Sequence, residues 1–118
     1  MGLARSLKSA MENKTLKFRK YLISLILSSK KDTTWRINDE KDLKINDIVT
    51  LINWDTNKVF GEAKIIKVDE KKMADLSENE VGHEKFKDRQ EMLDTYRKYY
   101  GDWVGDDTII KIIKFKLE

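Results

Sequence analysis

The stretch YLISLILSSKKDTTWR, residues 21–36, decides how this chain folds. Tyr21, Leu22, Leu25 and Ile26 recur at helical spacing, with Ser24 and Ser28 on the opposite side, so residues 19–29 read as a helix. From Thr33 to Ile37 the period drops to two. Thr34 and Arg36 fall on one side of a strand, and Thr33, Trp35 and Ile37 fall on the other. A helix therefore hands over to a strand across a short, highly charged junction.

Outward from that junction, the pattern is mixed. TLKF, 15–18, reads as a short strand, and NDEKDLKIND, 38–47, as a polar loop. DIVTLINW, 47–54, is β-rich and apolar on both faces, as in a strand covered on each side; DTNK, 55–58, then turns the chain into a hairpin. In the return strand VFGEAKIIKV the polar positions change phase at Ile65-Ile66, which calls for a β-bulge. Ser77 and Glu80 have capping-box spacing and predict a short helix from Ser77. A longer helix is expected over 88–101, with Asp88 as cap, Glu91 at the third helical position, a Met92, Tyr96, Tyr99 stripe, and Gly101 as terminator. TIIKIIKFKL, 108–117, is a strand. The sum is a mixed α+β domain, with a small curled sheet of about five to six strands and two main helices. Ahead of it, residues 1–14 form a basic extension whose Leu3, Leu7, Ala10 and Met11 share one helical face.

Composition narrows the chemistry. A chain of 118 residues suits one domain, and folding hides roughly two-thirds of its surface, enough for a core without staples. Cysteine is absent and His83 is the single histidine, which excludes disulfides, thiolate metal sites and multi-histidine zinc sites; no cofactor or metal is expected. The net charge of +3 is unevenly spread, with +7 in residues 1–31 and −4 in the remainder. That asymmetry fits a polyanionic partner, and equally a solvated lysine-rich surface. The apolar run at 21–27 is too short to span a bilayer, which takes roughly 20 residues, and it starts late for a leader. We read the protein as cytoplasmic.

Lys31, Thr34 and Arg36 form the pattern K-x-x-T-x-R. If Lys31 ends the helix, all three can project into one concavity. There Arg36 offers a planar fork of donors for a phosphate or a base edge, and a desolvated Lys31 could activate a hydroxyl. The bland alternative also stands, since lysines favour helix C-termini and threonines favour strands. Lys30, beside Lys31, and Trp103, in the polar loop GDWVGDD, complete the ligand-binding candidates. Trp35 and Trp54 read as core, His83 as packing or surface, and the tyrosines of the second helix as packing.

LILSSKKDTTWR, LKINDIVTLINW and FGEAKIIKV together resemble the ASCH domain, a family with the PUA-like β-barrel fold. Its hallmark, G-x-K-x-x-E/T-x-R followed by a loop and GD, falls here on Ser29, Lys31, Thr34 and Arg36, and on Asn46-Asp47. The resemblance covers about residues 15–117, taken as the domain 15–118, and both motif glycines are replaced. It implies a module that binds RNA or a nucleotide in the cleft beside the motif. One branch, small bacterial amidohydrolases that deacetylate acetylcytidine, implies a catalytic set of Lys31, Thr34 and Glu84. Lys31 would activate Thr34 as nucleophile and Glu84 would handle protons. Ribonuclease activity has also been suggested for the family.

Overall fold

The computed structural model describes residues 14–39 and 41–118; nearly all of the extension expected at 1–14 lies outside them. Five strands form one sheet: β1 (Lys14–Phe18), β2 (Thr33–Arg36), β3 (Ile48–Asn53), β4 (Val59–Lys72) and β5 (Ile109–Leu117), in spatial order β1-β3-β4-β5-β2. Helix α1 (Lys20–Leu27) links β1 to β2, and α2 (Arg89–Tyr100) precedes β5. The β1–β3 pair is parallel and every other pair antiparallel. This is the small curled, PUA-like sheet expected from the sequence, present as a five-stranded half-barrel.

Strand β4 is long because it serves two partners in turn, β3 through its first half and β5 through its second. Its register shifts between Ile65 and Lys67, leaving Ile66 as the extra residue of a bulge. The bulge increases local twist and bends the strand, which curls the sheet.

The curl encloses a core of Leu16, Phe18, Leu51, Ile65, Ile113 and Phe115, against which α1 lays Leu22 and Ile26. A second core lies on the other side of β5, where Met92 and Tyr96 of α2 cover Trp35, Met73 and Ile110. Helix α1 lacks a side-chain cap of its own; its first amide, Lys20 N–H, donates to Asp55 from the β3–β4 turn at 2.9 Å. Asp88 caps α2 by accepting from Glu91 N–H.

Three local expectations need correction. No helix forms at Ser77. The Glu80 carboxylate does accept from Ser77 N–H, but Val81 is 92 % exposed and Gly82 has φ 78°, so nothing apolar is gained by continuing the turn. Strand β3 is not covered on both sides, since Ile48 is exposed. Trp54 is not core: it is 52 % exposed, with the Arg19 guanidinium 4.8 Å over its ring. No helix among the described residues is long and apolar enough to cross a membrane.

Candidate functional site

Helix α1 ends in a Schellman motif that delivers Lys31 to the sheet. Ser29 N–H bonds the Ile26 carbonyl at 3.0 Å and Lys30 N–H bonds the Leu25 carbonyl at 2.9 Å, with Ser29 in the left-handed region at φ 63°. Asn46, at the other expected glycine position, is also left-handed at φ 77°. Both departures from the hallmark therefore keep the backbone that glycine would favour. A non-glycine residue there costs about 1–2 kcal/mol, and glycine's extra unfolded-state entropy returns part of that. Ser29→Gly should therefore stabilise the protein by about 0.5–1 kcal/mol, read as a higher urea midpoint with unchanged slope.

From that turn Lys31 reaches inward. Its side chain is almost wholly buried, and its ammonium donates to the Thr33 carbonyl at 2.6 Å and to Glu84 Oε1 at 2.5 Å. Burial pulls the Lys31 pKa down to about 8, although Glu84 partly opposes the shift. Burial pushes Glu84 the other way, but Lys31 and His83 outweigh it, and the carboxyl sits below its usual range. The pair is ionised at neutral pH.

Thr34 and Arg36 follow on β2. Arg36 Nε donates to Thr34 Oγ1 at 3.2 Å, and Arg36 Nη2 donates to the Lys17 carbonyl at 2.9 Å. The second bond spans β2 and β1, the two edge strands of the sheet, so a guanidinium bridges the open side of the half-barrel. Below it lies the Phe18 ring, 4.9 Å away.

These groups border one cavity of about 170 Å³. Lys31, Thr34, Arg36 and Glu84 supply its polar wall; Phe18, Tyr96 and Tyr100 supply much of the rest, with Lys17, Trp54 and Lys98 also on its lining. That is small beside the 300 Å³ or more of pockets for drug-sized ligands, and suits one flat ring. Lys30 and Trp103 are not part of it. Lys30 follows the left-handed turn outward and borders a separate groove beside Tyr21 and Leu25. Trp103 folds back on Gly101 and donates its indole N–H to the Tyr100 carbonyl at 3.2 Å.

The sequence reading missed the layer behind Glu84. His83 is buried, stacked on Trp35 with ring centroids 3.9 Å apart. Its Nδ1 lies 2.9 Å from the Glu84 carbonyl, and its Nε2 lies 3.1 Å from both Tyr96 Oη and Glu84 Oε1. Burial, reinforced by Lys31, lowers the His83 pKa to about 3, so the ring is neutral. A neutral ring has one N–H to give: on Nδ1 it donates to the Glu84 carbonyl and leaves Nε2 to accept from Tyr96 Oη, so the ring holds the Glu84 backbone and does not titrate near pH 7. The helical spacing of Met92, Tyr96 and Tyr99, four residues and then three, showed a stripe, but not that two elements, the 82–86 loop and β2, meet beneath it. Among the described residues no group of three or more His, Asp or Glu side chains could hold a metal.

The architecture is that of a PUA-like small barrel, and known structures sharpen this to the ASCH-domain fold. An ASCH domain from Lactobacillus crispatus superimposes with TM-score 0.68 at 17 % identity, covering 89 % of this chain and 79 % of that one. ASCH from Zymomonas mobilis gives 0.56 at 14 %, over 89 % and 67 %. The protein PF0455 from Pyrococcus furiosus, solved in solution, gives 0.62 at 17 %, over 89 % and 96 %. No family model matches the sequence, and no curated protein matches it.

Proposed function

We propose that the protein is an RNA- or nucleotide-binding module whose cavity receives a single nucleobase. One observation carries the reading: Lys31, Thr34, Arg36 and Glu84 converge on a ring-sized hollow that also has aromatic walls. Cationic donors match the carbonyl and ring-nitrogen acceptors of a base, and tyrosine and phenylalanine rings offer stacking surfaces. The resemblance to ASCH domains points the same way, although a fold alone does not fix a function. On this reading the protein works in the cytoplasm. The test is calorimetric titration with cytidine and with a short single-stranded RNA. Arg36→Ala should abolish cytidine binding; equal affinity in wild type and variant, or none in either, rejects the reading.

A second reading, hydrolysis of an acylated amino group on that base, is favoured by the lowered Lys31 pKa and by the Thr34 hydroxyl lining the same cavity. A neutral Lys31 amine would take the Thr34 proton as Oγ attacks the amide carbonyl. The proton would pass through Glu84 to the departing base amine, and water would then release the acid from the threonine ester. Only the free amine can act as the base, so turnover of acetylcytidine should rise with pH through about 8. It should vanish in Lys31→Ala and Thr34→Ala. Chromatography of acetylcytidine and cytidine reads the result, and substrate unchanged after prolonged incubation disposes of the idea.

A further inference from the structure

We propose that the outer face of the β4–β5 ladder binds the phosphate backbone of single-stranded RNA through Lys64, Lys67, Lys114 and Lys116. In register, Lys64 stands opposite Lys116 and Lys67 opposite Lys114. Residues directly opposite on neighbouring strands share a face, with Cβ atoms roughly 5 Å apart. Between these pairs Ile65 and Phe115, also opposite each other, are buried in the barrel, so all four lysines point outward.

The bulge creates this arrangement. In an unbroken strand, Lys67 would follow Ile65 by two positions and share its inward face. The extra residue at Ile66 reverses that parity, so Val68 packs on the barrel core and Lys67 joins Lys64 outside. The same device that curls the sheet thus gathers four ammonium groups on one patch.

Acidic neighbours lie at the margins of the patch only, Glu62 two positions before Lys64 and Asp69 two after Lys67 on the same strand. Lys14, Lys31, Lys72 and Lys111 each pair with a carboxylate, whereas none of these four makes an ion pair among the described residues. Like charges directly opposite across a ladder are destabilising, so the patch costs stability that a polyanion would return by shedding counterions. The patch reaches the site strand from its other face: Lys114 pairs with Thr33, whereas Thr34 and Arg36 turn to the cavity side of β2, an edge strand of the sheet. A polymer carrying both bases and repeating phosphates is the ligand long enough to round the β2 edge, offering phosphates to the patch and a base to the cavity. The choice of RNA over another polyanion rests on the proposed function of the cavity; the anion-binding face itself does not.

The experiment measures the affinity of a short single-stranded oligocytidine across a salt series. It compares wild type with the variant Lys64→Gln, Lys67→Gln, Lys114→Gln, Lys116→Gln. Each phosphate contact contributes about 0.7 to the slope of log affinity against log salt, so the variant should lose about 3 from that slope. Free cytidine should bind both proteins equally, and the variant should melt no lower than wild type. A slope changed by less than about one overturns the proposal. So does a wild type that binds no RNA, or one captured by anionic phospholipid vesicles in its place. If the fourfold variant does not fold, the pair Lys67→Gln and Lys114→Gln should still lose about half as much slope. Cytidine binding that fails while the oligonucleotide slope behaves as expected rejects the cavity reading alone.

Discussion

Glu84→Leu is expected to destabilise the protein by about 3 kcal/mol at pH 7, because it strands a buried ammonium. Glu84 Oε1 sits 2.5 Å from Lys31 Nζ, and the Lys31 side chain is 1 % exposed, so leucine leaves the ammonium beside the Thr33 carbonyl with the carboxylate gone. Removing one partner of a buried pair typically costs about 3–5 kcal/mol. The low end applies here because Lys31, already displaced to about 8, has an escape: it can shed its proton. Glu84→Gln, which keeps an acceptor for the ammonium, should lose less. Urea unfolding of the three proteins decides the matter. A leucine variant within about 0.5 kcal/mol of wild type, the scatter of ordinary surface substitutions, would mean that the Lys31 ammonium reaches solvent after all.

The second large effect is the pH dependence that Lys31 contributes. Its folded pKa of about 8 lies below the ordinary lysine value of 10.5. Between those two values the unfolded chain holds a proton that the folded chain has released, so stability rises with pH across that window. Below about 8 both states are protonated and the full penalty of burying the charge is felt; above about 10.5 it is gone. The span corresponds to about 3 kcal/mol. Other groups titrate in the same range, and Tyr21, raised by burial and by its bond to Tyr99, works in the opposite direction above pH 10. The measurement is therefore a difference: the stability of wild type minus that of Lys31→Met, followed from pH 7 to 10.5. A flat difference would show that Lys31 titrates normally.

How much of this was legible beforehand depended on whether the signal was local. The helix-to-strand switch at residues 28–33, the bulge at Ile66 and the Asp88 cap are each written in a few adjacent residues, and each is present in the fold. The capping-box spacing at Ser77 and Glu80 was local too. It still failed, because a cap can begin a helix only where an apolar face follows. Trp54 misled for a different reason: hydrophobicity ranks a residue for burial, but position at the end of β3 leaves the ring over Arg19 instead. In the cavity, Lys31, Thr34 and Arg36 could be grouped from spacing because one turn and one strand carry them. Glu84 was reached only through the family resemblance. The brace of His83 and Tyr96 behind it joins groups 13 residues apart across two elements, a distance at which no periodicity operates.

The guanidinium bond from Arg36 to the Lys17 carbonyl makes the lateral fastening of this barrel a side-chain clasp, where backbone pairing would otherwise run. Such a clasp can be released by competition. A guest that recruits Arg36 unbuttons the sheet along that margin, and its affinity is recorded net of the contact it undoes. Occupancy should accordingly register far from the guest itself, as altered amide exchange in β1, so that the wall reports on what the chamber holds.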